Sequence, residues 1–374
     1  MTTSPRILLA PDKFKGSISA AGVAASLRSG LLGVRPDLRV TALPIADGGD
    51  GTVSAAVAVG YRRVEVIVAG PTGAPVATSF ALRGDQAVVE LADACGLTRL
   101  PGGIPAPMTA GTRGLGEVLR AALRAGARSV VMGVGGSAGT DGGAGMLVAL
   151  GAQILDCDGR PIDDGGRGLA SARSLDLTGL DPSIAGIRIV LASDVDNPLL
   201  GPSGAAAVYG PQKGSEPHQV AALDQALARW AEVVAHTVPG DFAGTAGAGA
   251  AGGVGFAAMA VLGATPRPGI DLVLEMVDFA AHLRLADLVV TGEGSLDTQT
   301  LQGKGPAGVA AAAEAAGVPV IAVAGRVALS QRQLTRAGFT AAYALADLEP
   351  DVNESMAHPG PLLERIGAEI ARNV

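Results

Sequence analysis

The sequence predicts an α/β protein in which a discontinuous domain, residues 1–65 with 285–374, carries residues 66–284 as an inserted domain. Three observations lead there. Apolar residues make up 48% of the chain and aromatics only 3%, and Ala, Val, Leu and Gly dominate, the composition of buried parallel strands covered by helices. The length of 374 residues suits two domains with a sizeable core. Strand–loop–helix alternation marks both ends of the chain and gives way to a meander between them.

Residues 6–10 form a short apolar strand that stops at Pro11-Asp12-Lys13-Phe14-Lys15-Gly16. Ser17 or Ser19 then caps a helix with Val23, Leu27 and Leu31 at helical spacing. A second strand, 39–44, ends in Ile45-Ala46-Asp47-Gly48-Gly49-Asp50-Gly51-Thr52 and passes into an Ala/Val helix. Runs 63–68, 76–82 and 86–91 are strand-like and separated by Pro-Thr-Gly and Arg-Gly-Asp turns. A helix over 112–125 leads into a strand at 130–134, and Asp158-Gly159 reads as a hairpin turn between 153–157 and 160–162. After a strand at 187–192, helices are expected over 216–236, 248–262 and 270–283. Strands at 287–291, 318–324 and 339–344, with a helix at 306–316, restore the alternation.

The centre of the chain is Val130 to Gly145, VVMGVGGSAGTDGGAG, where an apolar run passes into a loop of Gly, Ser, Thr and Asp and then a helix. Glycines there can take positive φ and turn successive N–H groups toward one point, and a helix N-terminus favours negative charge, so an anion fits. Gly133, Gly135 and Ala138 satisfy the relaxed dinucleotide-binding spacing with Asp156 downstream, and Gly247, Gly249 and Gly252 satisfy the strict one. With 55 glycines in the chain, such matches arise by chance. The hairpin after the central loop is also not how a dinucleotide fold continues. Gly303-Lys304-Gly305 lacks the upstream Gly and the following Ser/Thr of a Walker A loop.

A net charge of −7 leaves no basic face for nucleic acid. Cys95 and Cys157 have neither zinc nor redox spacing and are expected to be inert buried thiols, while His218, His236, His282 and His358 share no metal-ligand pattern. Trp230 reads as a core or interface residue, and Met108, Met132, Met146 and Met259 as gap fillers. The apolar run near the N-terminus is too short for a signal peptide. The Ala-rich stretch 248–264 is broken by glycines and reads as a buried helix, so no membrane association is expected and the cytoplasm is the default compartment.

Five polar loops follow strands: Asp12 to Lys15, Asp47 to Asp50, the central loop with Asp141, Ser193 to Asn197, and Glu293 to Asp297. A carboxylate among glycines at a strand end can hold Mg²⁺ or take a proton. Each alone can be a turn with a capping Asp. Several acids, one or two lysines and an anion cradle together are the parts for phosphoryl transfer, where positioning and charge neutralisation supply most of the catalysis.

APDKFKGSISA at 10–20, PIADGGDGT at 44–52, GVGGSAGTDGGAG at 133–145, ASDVDNPLLGPSGAA at 192–206, YGPQKG at 209–214 and TGEGSLDTQTLQGKGP at 291–306 resemble the bacterial glycerate kinase family that makes 2-phosphoglycerate. The likeness runs nearly end to end in the same order. It implies two α/β domains, one of them a discontinuous Rossmann- or flavodoxin-like parallel-sheet domain, with the active site in the cleft. It also implies ATP as co-substrate, Mg²⁺ as cofactor and D-glycerate as acceptor. On this resemblance Asp194 is the candidate base for the glycerate hydroxyl, and Lys13 neutralises the transferring phosphoryl group or the glycerate carboxylate. Gly135, Gly136, Ser137, Thr140 and Asp141 form the phosphate-binding loop, Asp47 or Asp50 carries Mg²⁺, and Glu293 and Asp297 are further metal or substrate candidates. Partners would be small molecules, and a homodimer stays open.

Three other readings compete. The strand 189–192 followed by Ser193-Asp194-Val195-Asp196 is similar to the opening of haloacid-dehalogenase-type phosphatases, although Asn197-Pro198 departs from that pattern. The glycine spacings admit a dinucleotide-dependent oxidoreductase. A non-catalytic sugar-acid binding protein would bind ligand and turn nothing over.

Overall fold

The computed structural model describes residues 4–302 and 305–374; Gly303 and Lys304 of the Walker-like stretch lie outside the described residues. In chain order the strands are β1 (Arg6–Pro11), β2 (Arg39–Ala42), β3 (Arg62–Ala69), β4 (Pro75–Arg83), β5 (Gln86–Glu90), β6 (Ser129–Gly133), β7 (Gln153–Leu155), β8 (Ser174–Asp176), β9 (Arg188–Ala192), β10 (Thr265–Arg267), β11 (Leu288–Leu296), β12 (Val320–Val327) and β13 (Phe339–Ala344). The chain divides into two compact units, one of Met1–Asp47, Ser54–Val59 and Ile270–Val374, the other of Gly48–Val53 and Gly60–Gly269. The divisions in the structure fall near 60 and 270, where the sequence places them at 65 and 285.

The first unit is built on a five-stranded sheet of order β13-β12-β11-β1-β2, parallel throughout. The central strands β1 and β12 and the start of β11 read as continuous apolar runs because both faces are covered, whereas the edge strand β2 is largely exposed. Successive side chains point to opposite faces, so Leu8, Ala10, Val289, Val320 and Ala322 enter one core and Ile7, Leu9, Val290, Ile321 and Val323 the other. The first core is closed by Ile270, Val273, Phe279, Val309 and Ala313. The second is closed by Val23, Leu27 and Leu31 of helix Ala20–Val34 and by Leu363, Ile366 and Ile370 of helix Pro359–Arg372. Ser19 caps the former by accepting the Gly22 N–H at 3.1 Å.

Helices Ala20–Val34 and Pro359–Arg372 touch backbone to backbone. A Cβ on Gly30 would stand 2.0 Å from the Glu364 carbonyl oxygen, and one on Gly367 2.4 Å from that of Leu27. Gly30→Ala therefore forces the helices apart and is expected to cost about 1–3 kcal/mol, read as a lowered midpoint in thermal unfolding. A midpoint within a degree of wild type would show that this pair is loosely packed.

Two expectations change here. The helix over 270–283 is two helices, Gly269–Met276 and Phe279–Leu283, parted at Asp278, whose φ is +50°; Asp is among the few residues that tolerate this conformation. The strand beginning near 287 runs on through Leu296, so Glu293 lies inside it.

The second unit holds a six-stranded sheet of order β10-β9-β6-β5-β4-β3. β3, β4 and β5 pair antiparallel, as the turn signals at Pro-Thr-Gly and Arg-Gly-Asp require, while β5, β6, β9 and β10 are parallel. Val130, Met132, Ile189 and Leu191 pack into one core with Leu227 and Trp230 of helix Pro217–Thr237 and Val254 and Phe256 of helix Ala250–Leu262. The Asp158-Gly159 turn exists, closed by Asp156 N–H to the Arg160 carbonyl at 2.8 Å. The ladder partner of β7 is nevertheless β8 and not residues 160–162, which contribute only a bridge from Leu155 to Pro161. Among the described residues no helix is long and apolar enough to cross a membrane.

Candidate functional site

In open parallel sheets ligands bind beyond the carboxyl ends of the strands, and the polar loops gather there in each unit. In the second unit the ends of β6 and β9 and the residues just after β6 and β10 pack closely against segment Gly48–Val53 at glycines. Gly48 has a φ of +84°, and a Cβ on it would stand 2.5 Å from the Gly269 α-carbon and 3.1 Å from Ala192 Cβ. A Cβ on Gly133 would meet the Gly48 carbonyl oxygen at 2.5 Å, and one on Gly135 the Gly49 α-carbon at 2.9 Å.

Glu90, the last residue of β5, holds this segment in place. It is buried, and its carboxylate accepts the N–H groups of Gly51 at 3.0 Å and Val53 at 3.2 Å. Burial pushes the Glu90 carboxyl up to about 7 against those bonds, and Asp50 and Asp93 add to the rise. Asp50 itself is exposed. Asp194, two residues past β9, is exposed, and its carboxylate accepts the Gly269 N–H at 2.7 Å. The turn after it is pinned by Asn197, which donates to the Ser203 carbonyl at 2.8 Å and accepts from the Tyr209 hydroxyl at 2.5 Å.

The central loop is divided in its duties. Gly135 and Gly136 reach the surface, whereas Ser137, Thr140 and Asp141 are buried. Asp141 accepts from the N–H and hydroxyl of Thr112, both at 2.8 Å, and from the N–H groups of Gly143 at 3.1 Å and Gly145 at 3.2 Å. The Thr112 hydroxyl in turn accepts the Met146 N–H at 3.1 Å. The N-terminus of helix Ala144–Ala149, read from sequence as part of an anion cradle, is thus capped by a carboxylate of the protein, and Asp141 shapes the loop from inside. Burial raises the Asp141 carboxyl above the usual range, with the Thr112 and glycine bonds acting the other way.

The second glycine cluster packs behind the first. Gly252 has a φ of +70°, its carbonyl accepts the Gly142 N–H at 2.9 Å, and a Cβ on it would stand 2.3 Å from the Gly139 carbonyl oxygen. The dinucleotide-like spacing of Gly247, Gly249 and Gly252 therefore reflects backbone packing.

In the first unit Asp12 follows β1, Asp47 follows β2 and Glu293 lies on β11. Asp12 is buried, and its carboxylate accepts the Lys13 N–H at 2.6 Å. Burial pushes the Asp12 carboxyl up to about 7; Lys13 pulls it down, and the neighbouring Asp47 and Glu293 push it further up. Lys13 and Asp47 are half-buried. Glu293 accepts the Thr300 hydroxyl at 2.5 Å, and Asp297 accepts from Ser295 at 3.3 Å and from the Gln299 N–H at 2.9 Å. Asp297 thus acts as a turn residue as well. Among the described residues no three His, Cys, Asp or Glu side chains are arranged to hold a metal ion by themselves.

Sequence reasoning assigned no role to Glu90 or Lys213 and named Asp12 only within its loop. Glu90 carried a readable signal, a carboxylate at the end of the apolar run 87–89.

Both units are α/β and carry acidic and glycine-rich loops at the carboxyl ends of their parallel strands, the edge where α/β enzymes bind ligands. Residues 7–374 match the family model described as "Glycerate kinase family". A glycerate kinase of Bacillus subtilis (strain 168) is 42% identical over 372 residues, covering 99% of this chain and 97% of the relative. A glycerate 2-kinase of Escherichia coli (strain K12) is 42% identical over 324 residues, 86% of this chain and 85% of the relative. A crystal structure from Salmonella typhimurium LT2, assigned as glycerate kinase 2, superposes with a TM-score of 0.84 at 40% identity, covering 99% of this chain and 98% of that one. The chain belongs to the glycerate kinase family, and it is a kinase. The phosphatase, oxidoreductase and non-catalytic readings give way to that assignment.

Proposed function

We propose that the protein transfers the γ-phosphoryl group of ATP to D-glycerate, giving 2-phosphoglycerate and ADP. The observation that carries this reading is the unbroken match to glycerate kinases from residue 7 to 374. The choice of the 2-hydroxyl is supported by the name of the Escherichia coli relative, a glycerate 2-kinase.

Asp194 is the base. Its anchoring by the Gly269 N–H fixes the carboxylate beside the glycine loops, where it accepts the proton of the attacking hydroxyl. The surface backbone at Gly135 and Gly136 receives phosphate oxygens, and Ser137, Thr140 and Asp141 set the loop's shape from beneath. Lys13 neutralises the transferring phosphoryl group or the glycerate carboxylate. The protein would act as a small-molecule enzyme of the cytoplasm.

The acidic cluster fits Mg²⁺. This ion takes hard oxygen donors, commonly one or two carboxylates completed by substrate phosphates. The negative neighbours that raise Asp12 are Asp47 and Glu293, a concentration of charge that a cation would relieve. Asp47 is the first choice as ligand, with Asp50 as the alternative and Glu293 in support; when bound, the ion neutralises charge on the phosphates.

ADP release with D-glycerate, L-glycerate, glycolate and tartronate, followed by phosphorus NMR of the product, tests the proposal. Turnover is expected with D-glycerate, with phosphorus on the 2-oxygen. Phosphorus on the 3-oxygen would refute the position, and ADP release independent of any hydroxy acid would refute the reaction.

A further inference from the structure

Lys213 ends the short turn Pro211–Lys213 and is 2% exposed, one of the largest fully enclosed side chains in the protein. Its ammonium donates to Ser137 Oγ at 2.8 Å and to the Gly139 carbonyl. Both partners belong to the central loop, one on each side of Ala138, so the lysine grips that loop from behind. The α-carbon of Gly252 closes the same space: a Cβ there would lie 2.9 Å from Nζ and 2.7 Å from the Thr140 α-carbon. The hydroxyls of Thr140 and Ser215, one residue beyond Gly139 and two beyond Lys213, are buried with no hydrogen-bond partner.

A lysine is an odd choice for a grip that a neutral donor could supply. An amine has two N–H groups and an ammonium three, so both bonds to the loop survive loss of the proton, and only the charge is lost. We propose that Lys213 is a positioning residue whose charge is linked to the nucleotide: it holds the loop at any pH and takes up a solvent proton when the phosphates of ATP arrive on the loop's outer face. This inference rests on the reading that Gly135 and Gly136 receive those phosphates.

The surroundings support it. Burial pushes the ammonium down to about 7, and Asp141 opposes that fall. Asp141 is already engaged by four donors from Thr112, Gly143 and Gly145. Segment 250–253 carries no titratable side chain, and neither does Pro105, which packs on Gly214. Glu216 and His218, on the helix that follows, are exposed and face each other at 3.3 Å. Negative charge brought to the loop in a low-dielectric setting favours the ammonium, so binding raises its pKa and draws in a proton.

Calorimetry of ATP binding at pH 8, with Mg²⁺ present and glycerate absent, in buffers of differing ionisation enthalpy, measures the proton count. Wild type is expected to take up roughly half a proton or more per ATP, and its ATP affinity to fall several-fold from pH 6.5 to pH 9. Lys213→Met is expected to lose most of the uptake. Lys213→Arg, which stays charged, is expected to bind ATP with no uptake and a flat pH response. Uptake in Lys213→Met equal to wild type overturns the inference, and so does a pH-independent ATP affinity in the wild type, a result that needs no variant to fold. Gly136→Val separates the two levels. Unchanged ATP affinity in that variant refutes the loop reading itself, whereas weakened ATP binding together with full proton uptake in Lys213→Met refutes only the role given to Lys213.

Discussion

Asp194→Asn is expected to lower kcat by about 10²- to 10⁴-fold, the usual contribution of a positioned general base, with ATP affinity and the unfolding midpoint close to wild type. The substitution keeps the shape of the side chain and leaves an amide oxygen to accept the Gly269 N–H that now bonds the carboxylate at 2.7 Å. The carboxylate's basicity is lost. Asp194 is exposed and lies two residues past β9, and an unchanged unfolding midpoint in the Asn variant lets a fall in turnover be read as chemistry. A general base also predicts that wild-type kcat/KM has an acid limb that the Asn variant lacks. Near-normal turnover in Asp194→Asn would move the role to another carboxylate, with Asp12 and Asp50 the next to replace.

Asp141→Ala is expected to be the most destabilising single change at the site, with no bearing on proton transfer. The carboxylate satisfies four donors in a fully buried setting, and its removal strands them. Each stranded buried donor costs about 1–3 kcal/mol, and the sum is partly relieved by relaxation. A loss of about 4 kcal/mol is therefore expected, or roughly 10 °C in midpoint for a unit of this size. Asp141→Asn is hardly milder, since its NH₂ group would face N–H donors on one side. Thermal unfolding decides the matter: a loss under about 1 kcal/mol would mean that the loop keeps its form without this carboxylate.

These cases show what the sequence could and could not reveal. The strand-end loops were legible as loops because each apolar run stops abruptly in Asp, Gly or Lys, and the meander over β3 to β5 was legible from its turns. The direction of each side chain within the central loop was not. In a glycine-rich bend, φ rather than residue type decides which side chains turn inward, so Ser137, Thr140 and Asp141 looked like ligand contacts and are buried. Lys213 was hidden for a different reason: a lone lysine in a Pro/Gly turn reads as a solvated residue, and only tertiary packing encloses it. The helix Pro359–Arg372 lies where no polar loop drew notice, and strand β10 is three residues with a proline at its centre.

Strand β1 sits between β11 and β2, paired in register with residues 281 positions later, as Ile7 is with Leu288. During synthesis β1 can pair early with β2 on one edge, while its other edge must wait until the residues around 288 have left the ribosome, by which point everything needed for the second sheet has emerged. Closing so long a loop is slow. Biogenesis should thus run in the order insert first, host last, with the open edge of a nascent hydrophobic strand in need of shielding until then.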